Sequence, residues 1–294
     1  MSNPTDPKND GGVSLPGGVS LNDPVAPSRK NPQLAGPLSG GVADGGVKEE
    51  PKPIPIVLTF DDGPHAAGKE TKNYTIEVAT LLKSRRIIGA FFIQTHVDFR
   101  FKNAAGKDAT KAVSAMGHVI AIHTGSDESH ILHTERVAAP AYDVDGDQKP
   151  DGVNALESDL IRAKSEIQKT LGGSAPAYVR AVGLERNKEV NSTYGRVGLK
   201  HIGVNVDSKD NEPPRPAAPQ VVQTLDSGKQ SVKAAIKAGA PHLIVLFHDI
   251  NGTTAASLGV YIDTIEKEVR AAGRKPEFTD SAKAVNAIFQ ATGI

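Results

Sequence analysis

The stretch IPIVLTFDDGP, residues 54–64, decides how the rest of this sequence is interpreted. A short apolar run rich in β-branched residues predicts a buried parallel strand, and the Gly-Pro pair after it ends the strand in a turn. Two neighbouring carboxylates, Asp61 and Asp62, stand at this strand end and point to opposite faces. One can bind a cation while the other acts as a base. The simpler alternative is an ordinary turn, because Asp and Gly are common turn residues.

Apolar runs and segments of helical periodicity alternate from residue 54 onward. After the first run, strands are predicted at 89–93, 118–122, 177–181, 199–206, 242–247 and 276–279. Helices are predicted at 73–86, 107–116, 155–171, 187–197, 226–239, 256–273 and 281–291. This alternation predicts an α/β fold, a distorted (β/α)7–8 TIM-like barrel with helices outside. An open doubly wound sheet is the alternative, but no glycine-rich nucleotide loop follows the first strand.

Residues 1–53 differ in composition from the rest of the chain. They are rich in Gly, Pro, Asn, Ser and Asp, contain no aromatic residue, and repeat GGVSL at 11–15 and 17–21. Such a segment buries too little apolar surface to offset the entropy lost on folding. We therefore predict a disordered, flexible N-terminal leader over 1–53 and one folded domain over 54–294.

The overall composition of the 294 residues bears on several classes of function. Thirty-four basic residues balance thirty-four acidic ones without a basic block, which argues against nucleic acid as a partner. No apolar run reaches the roughly eighteen residues of a membrane span. There is no cysteine, so a bound metal must use histidines and carboxylates. The first residues do not resemble a signal peptide, whereas the tether-like leader favours export to the periplasm or outside the cell over a cytoplasmic location.

Polar residues follow the apolar runs at five places in the chain. In parallel α/β folds the active site lies at the C-terminal ends of the strands. Reading those ends in order gives Asp61-Asp62, His123-Thr124, Arg180, Asp207 and His248-Asp249. This concentration of chemically capable residues predicts a single catalytic site.

The same stretches resemble the polysaccharide deacetylases of the NodB-homology type, carbohydrate esterase family 4. Residues 59–64, TFDDGP, match the first motif of that family completely, and 117–124, 180–187, 206–210 and 246–249 resemble the other four. The resemblance implies a distorted (β/α) barrel that holds one divalent metal, usually zinc, cobalt or nickel. It also implies hydrolysis of N-acetyl groups on amino-sugar polymers of the chitin or peptidoglycan kind.

Carried over by position, the resemblance implies a base and two metal ligands. Asp61 would be the general base, oriented by Arg180, and Asp62 and His123 would bind the metal. This chemistry is coherent in itself, because a cation polarises an amide carbonyl and water while a carboxylate takes the proton.

The sequence offers three candidates for the third metal ligand, because Asp127 stands where the family has a histidine. Aspartate binds the same metals, so Asp127 is one possibility. Alternatively, a longer loop brings in His130 or, less favoured, His133. We prefer His130, since imidazole suits zinc.

The resemblance also implies a general acid and an oxyanion donor. His248 would protonate the leaving amine, with its pKa raised by Asp207, and the backbone N–H of Gly183 would stabilise the oxyanion. The fourth motif usually ends in Trp, where Asn211 stands here, and only 4% of the residues are aromatic. Because aromatic faces commonly line sugar clefts, this departure weighs against the usual sugar substrate more than against the catalytic chemistry.

An acidic loop follows the second motif. Asp143, Asp145, Asp147 and Asp151 occupy positions 1, 3, 5 and 9 of an oxygen-rich loop, the spacing of a calcium site. Asn154 replaces the closing glutamate, so the match is partial. A solvated acidic loop is the alternative.

The sequence therefore predicts a metal-dependent hydrolase of N-acetyl groups on an acetylated amino-sugar polymer. Two other functions stay open: a metal-dependent hydrolase of a non-sugar amide or cyclic imide, favoured by the low aromatic content, and an inactive carbohydrate-binding homologue, suggested by the altered second motif.

The leader prediction is tested by truncation. A chain starting near Glu49 should keep the melting temperature of the full chain within error, because the removed composition offers no core. Thermal unfolding of both chains followed by circular dichroism checks this. A large fall in the melting temperature would show that the leader packs on the domain.

Overall fold

A computed structural model of the chain describes residues 50–65, 72–97, 100–213 and 219–292. The predicted leader lies outside the described residues except for its last four, 50–53. The first strand begins at Pro53, next to the predicted domain boundary.

Eight parallel strands of the described part of the chain form one sheet. They are β1 (Pro53–Asp61), β2 (Ala90–Gln94), β3 (Val119–Thr124), β4 (Tyr178–Val179), β5 (Lys200–His201), β6 (Val206–Asp207), β7 (Leu243–His248) and β8 (Lys275–Phe278). Their spatial order is β5-β4-β3-β2-β1-β7-β6, and β8 pairs with the beginning of β1. Among the described residues no pairing joins β5 to β6. The sheet is therefore a distorted barrel of the predicted kind that stays open at this point.

In the described ranges, eight α-helices lie between and after the strands. They are α1 (Tyr74–Ser84), α2 (Ala104–Ala115), α3 (His133–Arg136), α4 (Ala155–Leu171), α5 (Lys188–Val197), α6 (Gln220–Lys237), α7 (Gly252–Ala271) and α8 (Ala282–Ala291). Five of them begin after an asparagine whose side chain accepts a hydrogen bond from the first turn, as N-cap residues do. No helix in the described ranges is both long and apolar enough to cross a bilayer.

The strand predicted at 199–206 is wrong as a single element. It forms two short strands, of which β5 pairs with β4 and β6 pairs with β7, so the chain crosses from one side of the opening to the other. Asn205 fixes the second strand, because its N–H donates to the carbonyl of Ile244 and its side-chain oxygen accepts from the N–H of Ile244. The apolar pattern predicts that these residues are buried, but it does not predict with which neighbouring strand they pair.

The register at the centre of the sheet positions the candidate site. Phe60 on β1 stacks between Phe91 on β2 and Phe247 on β7, with ring centroids 4.9 and 5.9 Å apart. The next residue along, Asp61, is then the register partner of His248 at the end of β7. Packing of three buried aromatic rings thus brings together two side chains that are distant in sequence.

Candidate active site

A cavity of about 430 Å³ opens at the C-terminal ends of the strands. It is lined by most of the residues that the sequence singled out, together with aliphatic side chains: Asp61, Asp62, His123, His130, Gly183, Asp207, His248, Leu132, Leu184 and Leu246. No aromatic side chain in the described part of the chain lines it, in keeping with the low aromatic content. The predicted concentration of functional side chains at the strand ends is therefore present as one cavity.

Asp61 is held by a buried arginine. The Nη1 atom of Arg180 donates to Asp61 Oδ1 at 2.7 Å and to the hydroxyl of Thr59 at 2.9 Å, and its Nε donates to the carbonyl of Ile202 at 3.0 Å. The guanidinium lies 4.0 Å from the centre of the Phe92 ring. Burial lowers the pKa of Arg180, while Asp61 acts in the opposite direction. This charge-assisted bond leaves the carboxylate little freedom to rotate.

Asp62 faces two histidines. Its Oδ1 lies 3.4 Å from Nε2 of His123 and 3.7 Å from Nδ1 of His130, and it accepts a hydrogen bond from Nε2 of Gln94 at 2.6 Å. The Nδ1 atom of His123 lies 3.0 Å from the carbonyl oxygen of Arg180. Because a carbonyl can only accept, Nδ1 carries a proton, and in the neutral ring the lone pair lies on Nε2, which faces Asp62 as in histidines that bind metals.

The charges in this group favour an ionised Asp62. Burial alone raises the pKa of Asp62, but the hydrogen bond that a protonated His123 donates and the positive charges of His123, His248 and His130 outweigh it and lower the pKa below its usual range. Burial likewise lowers the pKa of His123, and the carboxylates of Asp61 and Asp62 more than reverse this. One carboxylate and two imidazoles form a donor set that fits zinc and similar divalent metals.

The three candidates for a third metal ligand occupy different places. His130 lies at the cavity, with its side chain 57% exposed and a left-handed backbone (φ 60°). The carboxylate of Asp127 is instead 61% exposed and pairs with Nη1 of Arg162 at 3.4 Å. His133 is buried, with Nδ1 2.6 Å from the hydroxyl of Tyr194. The structure brings His130, and not Asp127, next to Asp62.

His248 is held by a carboxylate that the sequence analysis did not select. Its Nδ1 lies 2.7 Å from Oδ1 of Asp210, whose Oδ2 accepts from the N–H of His248 at 2.8 Å and from the hydroxyl of Thr254 at 2.6 Å. Burial lowers the pKa of His248, but the hydrogen bond to Asp210 and its charge outweigh this and raise the pKa to about 9. The imidazole is therefore protonated at neutral pH.

The expectation that Asp207 tunes His248 is wrong. The carboxylate of Asp207 accepts from the N–H of Lys209 at 2.9 Å and pairs with its Nζ at 3.1 Å, at the rim of the cavity. Lys209 adopts a left-handed backbone (φ 59°), and this turn leaves Asp210 beside the imidazole. The signal that could have identified Asp210 was already in the sequence, because the stretch 206–210 contains two aspartates, Asp207 and, three residues later, Asp210.

Gly183 lies in a 3-10 turn at Val182–Leu184 on the cavity wall. Its backbone is left-handed (φ 64°), and a Cβ there would approach the side chain of Leu132 to 3.2 Å. A glycine is thus favoured by both conformation and space. The role of its N–H as an oxyanion donor stays a prediction.

The acidic loop has part of the geometry that its spacing predicts. Oxygen atoms of Asp143, Asp145 and Asp151 lie within 4.8 Å of one another. Asp147 is not in this group, and its carboxylate accepts from the N–H of Lys149. Asn154 caps α4. Calcium at this loop stays a prediction.

Two buried residues at the site carried no signal in the sequence analysis. Gln94 ends β2 and donates to Asp62. Asp249 was noted only as the neighbour of His248, yet it is fully buried, and burial raises its pKa to about 7. Both are defined by contacts between elements that are distant in the chain, which sequence spacing does not reveal.

Comparison with known proteins identifies the family. A chitin deacetylase from Colletotrichum lindemuthianum is 25% identical over 216 residues, 72% of this chain and 74% of that protein. The solved structure of the chitin deacetylase from that fungus superposes with a TM-score of 0.54 at 22% identity, over 76% of this chain and 85% of that one. The catalytic domain of a peptidoglycan N-acetylglucosamine deacetylase from Eubacterium rectale gives 0.51 at 22%, over 77% and 90%. At this identity the superpositions show a shared fold.

The sequence model of the polysaccharide deacetylase family matches residues 48–202, more than half of the chain. The match includes Asp61, Asp62, His123 and Arg180 and ends before β6, so it does not reach His248. The extent of this match shows that the chain belongs to the polysaccharide deacetylase family.

Proposed function

We propose that this chain is a metal-dependent N-deacetylase that acts on an acetylated amino-sugar polymer. One observation carries the proposal: the same cavity contains a carboxylate, Asp61, held by Arg180, and an imidazole, His248, held by Asp210. Amide hydrolysis needs a proton taken from water and another given to a poor leaving amine. The two groups suit these two steps.

The proposed steps use the side chains in order. Asp61 accepts a proton from the attacking water, and the oxygen adds to the acetamide carbonyl carbon. His248, protonated at neutral pH, then donates its proton to the nitrogen as the carbon–nitrogen bond breaks. Acetic acid and the free amine leave, the acid loses its proton to solvent as acetate, and the proton held by Asp61 returns the imidazole to its charged form through solvent.

Asp62, His123 and His130 are the residues that would hold the metal. When bound, a divalent cation supplies polarisation of the amide carbonyl and of the attacking water. Zinc fits the one-carboxylate, two-imidazole donor set best, and cobalt and nickel accept the same donors. The hydrogen bond from His123 to the Arg180 carbonyl supports this assignment, since it keeps Nε2 available.

The family supports an amino-sugar polymer as substrate. Similar proteins are named for chitin and for peptidoglycan, and both polymers carry N-acetylglucosamine. A second function, hydrolysis of a non-sugar amide or cyclic imide, is favoured by one observation. The apolar part of the cavity lining is aliphatic, with Leu132, Leu184 and Leu246, and the described residues add none of the aromatic faces on which sugars stack.

Acetate release tests the proposed activity. The zinc-loaded chain should release acetate from N-acetylated chitooligosaccharides or from peptidoglycan, and Asp61→Asn or His248→Ala should each lower kcat by about 10²–10⁴, as expected for a general base or acid. Asp226→Asn is the matched control, because this exposed carboxylate only pairs with Lys229 on the surface. Ring opening of a cyclic imide without acetate release would support the second function instead.

The third metal ligand is tested by two alanine variants. His130→Ala should weaken zinc binding, whereas Asp127→Ala should leave it unchanged, because only His130 lies near Asp62. Titration calorimetry on chelator-treated protein measures both dissociation constants, with Asp62→Ala as the variant that loses most binding. A loss confined to Asp127→Ala would contradict the assignment.

The partner of His248 is tested by the pH dependence of kcat. His248 acts while protonated, so activity falls as the pH rises through its pKa, which Asp210 raises to about 9. Asp210→Asn removes the negative charge, lowers the pKa of the imidazole and moves this fall to lower pH. Asp207→Asn is the control, since Asp207 pairs with Lys209 instead. A shift produced by Asp207→Asn alone would restore the original expectation.

A further inference from the structure

Asp249 is a fully buried carboxyl group to which the proposed chemistry gives no role. It follows His248 directly at the end of β7 and has no exposed surface. Its Oδ2 accepts a hydrogen bond from the hydroxyl of Thr75, whereas its Oδ1 is buried without a hydrogen-bond partner among the described residues. Burying a polar atom without a partner is unfavourable, so its position calls for an explanation.

The carboxyl group of Asp249 lies against the main chain of Gly63. A Cβ at residue 63 would fall 2.6 Å from Oδ1 of Asp249, 2.8 Å from its Cγ and closer still to Oδ2. Only glycine leaves room for this approach. Because Gly63 follows Asp62 in the chain, Asp249 supports the backbone that carries the metal-facing carboxylate.

Thr75 joins the same turn from a second side. It lies in the first turn of α1 and is 1% exposed. Its Oγ1 accepts from the N–H of His65 at 2.7 Å and donates to Asp249. On a third side, the N–H of Gln94 donates to the carbonyl of Gly63 at 2.8 Å. The turn at 62–65 is thus held by the end of β7, the start of α1 and the end of β2.

Asp62 needs such support because of its backbone conformation. Its φ of 71° lies in the left-handed region, which is unfavourable for a residue with a Cβ. In this conformation its Oδ1 faces His123 and His130. A strained residue at a functional site persists only when its surroundings hold it in place.

We propose that Thr75 and Asp249 are positioning residues for Asp62, and that the metal affinity of the site depends on them although neither lines the cavity. This inference rests on the metal site of the proposed function. Partners that orient a ligand in this way typically change metal affinity by about 10–100-fold when they are removed.

Thr75→Val removes the hydroxyl and keeps the shape of the side chain, and Thr75→Ser keeps the hydroxyl. Thr110→Val is the matched control, because Thr110 is also 1% exposed and its hydroxyl donates to the carbonyl of Gly106 at 3.0 Å within α2. The dissociation constant of zinc is measured by calorimetric titration of each full chain after chelator treatment, together with the melting temperature.

Thr75→Val should weaken zinc binding by about 10-fold or more, in the range found for orienting partners. Thr75→Ser should recover most of the affinity, and Thr110→Val should lower the melting temperature without changing the affinity. Asp249→Ala and Asp249→Asn form a second pair. Alanine removes both contacts and should weaken zinc binding, whereas asparagine keeps the shape and the acceptor oxygen and should stay near the parent.

The outcomes separate this inference from the proposed function. Parental zinc affinity in both Thr75→Val and Asp249→Ala, or an equal loss in Thr110→Val, would overturn the positioning role. A parent chain that binds zinc but releases no acetate contradicts the proposed reaction and leaves the positioning role standing. A parent chain that binds no zinc overturns both.

Discussion

The arrangement of the site depends on the buried ion pair between Arg180 and Asp61. The guanidinium has no exposed surface and reaches Thr59 and Asp61 on β1, the carbonyl of Ile202 after β5, and the face of Phe92 on β2. It therefore links the centre of the sheet to the edge at which the barrel is open. Transferring two charges from water to such a place costs several kcal/mol per ion, so the pair is better explained by function than by stability.

The same arginine also connects the base to the metal-facing group. Its side chain orients Asp61, while its backbone carbonyl accepts from Nδ1 of His123 and so determines which nitrogen of that imidazole faces Asp62. A change in the position of residue 180 would move both groups together. This coupling explains why a residue that lies after a two-residue strand is so deeply buried.

Opposite shifts in pKa divide the work between neighbouring groups. Histidine charges lower the pKa of Asp62, and Asp210 raises the pKa of His248 to about 9, so at neutral pH one is an anion and the other a cation. Pairs of titratable groups whose environments shift their pKa values in opposite directions are typical of active sites. Here the opposing shifts arise because each group has a different buried partner.

The sequence predicted the parts of the site that are encoded locally. Asp61, His123, Arg180 and His248 were found because each follows an apolar run, and a strand ends at or next to each of them. Asp210 was missed because its position depends on the left-handed turn at Lys209, which no apolar pattern records. The residues at the strand ends could therefore be identified without a structure, but their partners could not.

The departures from the family pattern lie in loops, whereas the strand-end residues agree with it. His130 rather than Asp127 lies beside Asp62, and the loop after β6 carries Asn211 and the charged rim at Lys209. Loops tolerate insertion and substitution because few buried contacts constrain them, while a shift of one residue in a parallel strand would move Asp61 away from His248. The sheet thus constrains the positions of the catalytic residues, whereas changes in the loops can alter which amide-bearing molecule binds in the cavity.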